Sequence, residues 1–204
     1  ATTEIYTLSQ HDALPISVSW SPREILEEQR ISQGKLTMGF RTSTTLRDEM
    51  VFSLIMFDGL LGAFPHSKLF MNVREKEGLA YYAQSMLDNS KGIMLIVAGV
   101  DPANYNKAVD LINAQVESLR KGEFSDDEME ATRNSLLHRI RASEDSVSSK
   151  TSIFYEYALA GNPKSMEERM RMLEVVTREH IIEAASKVQL DTVFFLGPEG
   201  GMDR

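Results

Sequence analysis

The order of strand-like and helix-like hydrophobic patterns constrains this chain more than any other feature of its sequence. Extended runs and short helical patterns occupy residues 35–100, consecutive helical patterns follow from residue 101, and one more extended run spans residues 192–196. Single strands alternating with helices would favour a doubly wound parallel sheet, but here the helices come in a run. We therefore predict an α+β fold with a mostly antiparallel sheet and helices packed on one face.

Three segments predict the strands near the start of that order. In residues 35–42 the apolar side chains of Leu36, Met38 and Phe40 alternate with polar or small ones, as in a half-buried strand. Residues 79–87 and 93–100 form two further extended runs, and the polar stretch between them ends in glycine. This arrangement is typical of a β-hairpin.

Two helices are predicted between the first strand and the hairpin. In residues 47–61 the apolar positions recur at steps of three and four, and Gly62 can end that helix. A short helix follows Pro65, with Ser67 as a candidate N-cap, and Gly78 suits the left-handed backbone position beyond its end. Both helices would contribute apolar side chains to the core.

The second half of the chain contains several residues that are typical of helix N-termini. The predicted helix starts are Asp101 followed by Pro102, the capping boxes of Ser125 with Glu128 and of Ser165 with Glu168, and Thr177. A further helix, which residues 161–163 stop, is marked by Val147, Thr151, Phe154 and Ala158. These signals predict the helical layer.

Composition excludes several classes of function. The 204 residues suit one domain, and the net charge of −8 without a basic run argues against binding nucleic acid through its phosphates. The longest apolar run, residues 93–100, is far too short to span a membrane. The chain has no cysteine, which excludes disulfides and thiol catalysis and fits a reducing compartment. We therefore predict a cytoplasmic protein with neither a nucleic-acid nor a membrane partner.

The first 16 residues lack both periodicity and the pattern of a secretory signal. Residues 8–16 look like a translated sequencing adaptor with Gln10 as the mismatch, so we interpret residues 1–16 as an artefactual or disordered leader. We assign residues 17–34 to a lead-in segment and residues 35–204 to the domain itself.

Histidines offer weak support for a metal site. His180 and Glu183 form a His-x-x-Glu pattern on a predicted helix, but an inverted zinc motif needs a second histidine at the next position, which is Ala184. A solvated helix face is the favoured interpretation of this pair. Similarly, His138 fits a helix surface, and the environment of His66 is explained by the start of the short helix.

Motifs of other catalytic classes do not occur. The sequence has no Gly-x-Ser-x-Gly elbow, which would expose a nucleophilic serine, and no glycine-rich phosphate loop or dinucleotide fingerprint. Residue patterns alone therefore lead only to an α+β domain.

The stretch from Ser67 to Tyr82 is more specific, because an arginine that ends a short helix precedes a strand tyrosine by seven residues. Arg74 and Tyr81 with this spacing resemble the hallmark of the second, non-zinc domain in each half of the insulinase/pitrilysin family of zinc peptidases. The resemblance extends over about residues 35–196. The sequence of residues 64–70 is most similar to that of bacterial members whose zinc motif is degenerate.

The resemblance implies a function for the domain and roles for two residues. Arg74 and Tyr81 would hold substrate carbonyls in a peptide chamber, and Tyr82 would pack. The partners implied are an N-terminal half-domain, a second insulinase-type half or subunit, and a peptide substrate. No catalytic or metal-binding residue is expected in this chain, because the zinc-binding His-x-x-Glu-His helix is absent from it. Zinc would belong to another domain, so the fragment alone should hydrolyse nothing.

Two alternatives remain beside this interpretation. Arg74 can simply pair with Glu75 or Glu77, and Tyr81 can be a core aromatic residue with a solvated hydroxyl. In that case the domain would serve as a non-catalytic scaffold or regulatory subunit.

Overall fold

A five-stranded sheet organises the computed structural model, which describes residues 21–200. The strands are β1 (Arg23–Gln29), β2 (Gly34–Arg41), β3 (Ala80–Asp88), β4 (Ile93–Val100) and β5 (Gln189–Pro198). Their order in the sheet is β1-β5-β2-β4-β3, and every pair except β1 with β5 is antiparallel. The predicted α+β class, the mostly antiparallel sheet and the hairpin of β3 with β4 are confirmed.

Six α-helices accompany the sheet in the described residues. They are α1 (Val51–Asp58), α2 (Tyr105–Arg120), α3 (Asp126–Ser143), α4 (Val147–Leu159), α5 (Met166–Glu174) and α6 (Arg178–Lys187). Two π-helical segments, Gly59–Ala63 and Leu69–Lys76, lie between α1 and β3, and a short 3₁₀ turn, Pro102–Asn104, precedes α2. Because π-helical turns are rare and often occur at functional sites, the region before β3 is distinctive.

The core lies between one face of the sheet and the helices. Alternate residues of β2 and β4, among them Met38 and Met94, are fully buried, as the period of two requires. They belong to one cluster with helical side chains such as Phe57 and Ile112. Each fully buried side chain of this size contributes roughly 2 kcal/mol to folding.

The helix caps predicted in the second half of the chain are present. Asp101 accepts a hydrogen bond from the Ala103 N–H at 2.9 Å, and Ser125 and Ser165 each form a complete capping box. Thr177 also caps its helix, with His180 as the reciprocal partner. Local polar signals therefore determine where most of these helices begin.

The Ser125→Ala substitution should destabilise the protein by about 1 kcal/mol, because the Glu128 N–H then loses its acceptor at 3.0 Å. We expect thermal unfolding to shift down by roughly 2–4 °C. Ser135→Ala, which removes a hydroxyl bonded to the Ala131 carbonyl within the same helix, is the control and should change little. Equal melting temperatures for the parent and Ser125→Ala would contradict the assigned cap.

Two predicted helix boundaries are wrong. Gly62 does not end a helix, because the chain continues as a π-helical turn to Ala63 and Gly62 is buried within it. Ser67 does not cap the short helix, since its buried hydroxyl makes no hydrogen bond to any described residue. The prediction for Gly78 is confirmed, with φ at +60° beyond the helix end.

Two further differences concern exposed elements. Helix α4 forms as predicted, but Val147 and Phe154 point to solvent while Tyr157 is buried. Strand β1 was not predicted, since its two apolar residues, Ile25 and Leu26, are adjacent instead of alternating. It is held by main-chain pairing with β5. The interpretation of residues 1–16 falls outside the described residues.

Candidate functional site

Arg74 lies on the last turns of the π-helix Leu69–Lys76. The buried side chains of Leu69 and Val73 anchor that helix, and the Arg74 side chain is 40% exposed. Its guanidinium carbon lies 4.5 Å from the centroid of the Phe70 ring, and Nε lies 3.6 Å from Oε1 of Glu75. An exposed ion pair of this kind contributes little, so the guanidinium is oriented but still accessible.

A β-bulge sets the position of Tyr81. Strand β3 advances from Ala80 to Ala83 while β4 advances only from Val100 to Ala98, so β3 contains one extra residue there. Ala80 and Ala83 are both buried, whereas Tyr81 is 76% exposed and its hydroxyl has no hydrogen-bond partner among the described residues. The alternative of a core aromatic residue therefore does not describe Tyr81.

Tyr82 has a packing role at the same bulge. It is half-buried, and a Cβ added at Gly99 would lie 2.6 Å from the Tyr82 ring. Glycine at position 99 therefore allows the ring to lie close to β4. The prediction that Tyr82 packs fits this contact, although the bulge interrupts the strict alternation of β3.

A small cavity lies beside Arg74. Its volume is about 240 Å³, and its lining includes Phe64, Phe70, Arg74, Tyr82 and Gln84. Tyr82, not Tyr81, shares this cavity with Arg74. Phe64 and Phe70 were not predicted as site residues, and the only signal in the sequence was their place within the distinctive stretch.

The edge of the sheet also belongs to the candidate site. Strand β3 is the last in the sheet order, so within the described residues its outer edge is unpaired. An unpaired edge presents main-chain N–H and C=O groups to which an extended peptide can bond. Arg74 and Tyr81 therefore both lie close in the chain to an edge that can pair with an extended peptide.

Asp58 is a buried titratable group below this edge. The Ser85 hydroxyl donates a hydrogen bond to its Oδ1 at 2.5 Å and so joins α1 to β3. Burial raises the pKa of Asp58 to about 6, while the Ser85 bond and the charge of Arg139 act in the opposite direction. Ionisation of this carboxyl group is therefore less favourable in the folded protein than in water.

The described residues do not fit a zinc site. The His180 Nδ1 accepts a hydrogen bond from the Thr177 N–H at 3.2 Å, and Glu183 pairs with Lys187. Across residues 21–200 no group of three or more His, Cys, Asp or Glu side chains is arranged to hold a metal. His66 contacts the Thr132 hydroxyl at 3.1 Å and stacks on Phe64.

Comparison with known protein families shows to which family the chain belongs. The family model described as "Peptidase M16 inactive domain" matches residues 10–136. The chain belongs to the peptidase M16 inactive domain family. The resemblance to insulinase/pitrilysin peptidases is confirmed, and the M16 domain is the non-catalytic part of a zinc-protease-like protein.

Individual relatives agree with the family. The "Probable inactive metalloprotease YmfF" of Bacillus subtilis is 38% identical over 180 residues, which are 88% of this chain and 42% of the relative. A conserved protein from Enterococcus faecalis V583 superposes with a TM-score of 0.84 at 35% identity, over 90% of this chain and 43% of the other. The M16 domain therefore spans less than half the length of these relatives.

A more distant neighbour shows the fold alone. The periplasmic protease PqqL from Escherichia coli has a TM-score of 0.66 at 16% identity, and the match covers 90% of this chain and 21% of that protein.

Within residues 21–200 of the M16 domain, no helix is both long and apolar enough to cross a bilayer.

Proposed function

We propose that this M16 domain forms one wall of a peptide-binding chamber and contributes Arg74 and Tyr81 as a substrate clamp. The observation that carries the proposal is the accessibility of both side chains next to the unpaired edge of β3. A guanidinium has five N–H donors and a phenol has one O–H donor, so both can donate to peptide carbonyl oxygens.

The clamp acts within a larger assembly. Its partners are an N-terminal half-domain and a second insulinase-type half or subunit, and the parent reaction is zinc-dependent endopeptide hydrolysis carried by another domain. We assign the assembly to the cytoplasm because the chain has no cysteine, although PqqL is described as periplasmic.

The Arg74→Ala substitution in the assembled protein should weaken the binding of a fluorescent peptide about tenfold, because a hydrogen bond from a charged donor is lost. Tyr81→Phe, which removes only the hydroxyl, should weaken it by a smaller factor. Fluorescence anisotropy measures both dissociation constants, independently of turnover.

Matched surface substitutions control for unspecific effects. Arg141→Ala on α3 and Arg171→Ala on α5 change exposed arginines away from the clamp, and should leave the dissociation constant unchanged. Peptide affinity that is retained in folded Arg74→Ala and Tyr81→Phe variants would contradict the clamp.

A second function, as a non-catalytic scaffold or regulatory subunit, is favoured by the surface of α4. Four large apolar side chains of that helix are exposed, and apolar patches of this kind often mark interfaces between proteins. They are Val147, Phe154, Tyr155 and Leu159. Loss of assembly, with unchanged peptide affinity, in a Phe154→Ser variant would support this second function.

A further inference from the structure

A larger cavity of about 460 Å³ lies beyond the clamp, between β3 and helices α1, α3, α4 and α5. Its volume is typical of sites for small ligands, which are mostly apolar and contain a few polar groups. The apolar part of the wall includes Phe52, Ile55, Leu136, Ile140, Ile153 and Leu173. The cavity can therefore accommodate an apolar side chain.

A buried guanidinium in this wall is incompletely paired. Arg169 is 7% exposed, and its Nε is buried without a hydrogen-bond partner among the described residues. Its Nη2 lies 3.5 Å from Oε1 of Glu144, whereas the other oxygen of that carboxylate lies 2.7 Å from Nζ of Lys150. Strong charge-assisted bonds are about 2.7–2.9 Å long, so Glu144 leaves Arg169 able to bind another anion.

An unpaired acceptor lines the same cavity. The Oδ1 atom of Asn89 is buried and accepts no hydrogen bond from any described residue. A buried polar atom without a partner is costly, so a ligand that supplies an N–H donor would be favoured here. A simple aliphatic acid has no such donor, but an amino acid in amide linkage has one.

The charges of the wall favour an anion. The guanidinium groups of Arg139 and Arg169 line the cavity together with the single carboxyl group of Asp58. This positive balance occurs in a chain whose formal net charge is −8. With Glu144 beside Arg169 and Lys150 beside Glu144 also counted, three cationic and two acidic side chains surround the cavity.

We propose that this cavity binds the C-terminal residue of a peptide. The terminal carboxylate accepts hydrogen bonds from Arg169, the amide N–H of the last residue donates to Asn89, and an apolar side chain occupies the space between β3 and the helices. The site uses residues other than Arg74 and Tyr81, so it does not require the clamp.

Isothermal titration calorimetry with N-acetyl-leucyl-leucine tests this site. The free acid should bind at least tenfold more tightly than its C-terminal amide, because only the acid offers a carboxylate to Arg169. Decanoate, which lacks an amide N–H, should bind more weakly than the peptide acid. Equal affinities for acid and amide would overturn the proposal, as would the absence of any binding, and tighter binding of decanoate would overturn the assignment to a peptide end.

Substitutions locate the ligand in the cavity. Arg169→Gln should abolish the preference for the acid, whereas Arg171→Gln, which changes an exposed arginine of the same helix, should retain it. If Arg169→Gln does not fold, Ile153→Trp provides the test, because filling the cavity should abolish acid binding. Unchanged acid binding in either folded cavity variant would overturn the site.

The clamp and this site fail in different ways. Loss of the acid preference, with peptide affinity still dependent on Arg74, would contradict the carboxylate site and leave the clamp intact. Acid binding that depends on Arg169, together with an affinity for longer peptides that does not change in Arg74→Ala, would support the carboxylate site and contradict the clamp.

Discussion

The Gly62→Ala substitution is expected to destabilise the protein by about 3 kcal/mol or more. A Cβ at position 62 would lie 2.5 Å from the main-chain nitrogen of Ser85 and 2.8 Å from a methyl carbon of Leu69. Overpacking in a close-packed core usually costs 1–3 kcal/mol, and a main-chain neighbour cannot rotate away as a flexible side chain can. The π-helical segment and β3 would have to separate, which also disturbs the bond between Ser85 and Asp58.

Thermal unfolding followed by circular dichroism measures this effect. A loss of about 3 kcal/mol corresponds to a decrease in the melting temperature of roughly 6–12 °C for a chain of this size. The control is Gly39→Ala in β2, where an added Cβ would meet its nearest neighbours only at 3.8 Å. Similar melting temperatures for both variants would contradict the close approach of Gly62 to β3.

The Asp58→Asn substitution is expected to stabilise the protein, and the gain should appear as the pH rises. Burial raises the pKa of Asp58 from 3.8 to about 6 in the folded protein. The folded state therefore binds this proton more tightly than the unfolded state, and stability is lost as the pH rises from 3.8 through about 6. At 1.36 kcal/mol for each pKa unit, the whole difference amounts to about 3 kcal/mol. Asparagine has no such proton, but it can still accept the Ser85 hydrogen bond.

Urea unfolding at a series of pH values checks the sign of this effect. Relative to the parent protein, Asp58→Asn should gain stability between pH 4 and pH 7. The control is Asp88→Asn, because hydrogen bonds from Lys91 and Ser90 lower the pKa of Asp88 to about 2. Asp88→Asn should therefore destabilise the protein, and only slightly, because the group is exposed. A constant difference between Asp58→Asn and the parent across this range would argue against a buried, destabilised carboxyl group.

Local signals predicted most of the helical layer and the hairpin. The hydroxyl of Ser125 and the carboxylate of Glu128 satisfy main-chain groups three residues apart, so the sequence alone can identify that helix start. The buried row of β2 followed from strict alternation, which needs no knowledge of distant partners. In these segments the information is contained in a few neighbouring residues.

Other features depend on distant contacts. The role of Gly62 is set by Ser85, which lies in another element, so the glycine was mistaken for a helix end. The same holds for α4, where apolar residues lie on both faces and only packing selects Tyr157 for burial over Phe154. Strand β1 has no periodic pattern and depends on pairing with β5, which is more than 150 residues away.

The candidate site was predictable only in part. The spacing of Arg74 and Tyr81 identified the edge strand and the helix that precedes it, and both side chains are accessible. The bulge at Tyr81 could not be predicted, because it arises from the register of β3 with β4. Likewise, the larger cavity joins residues from six separate elements, so no single motif reveals it.

The most direct test of the clamp is a crystal structure of the assembled protein with a bound peptide. We predict that the Arg74 guanidinium and the Tyr81 hydroxyl both lie within about 3.2 Å of carbonyl oxygens of the same peptide. A peptide that contacts neither group, or that reaches only one because the two lie on different sides of the sheet, would contradict the proposed function.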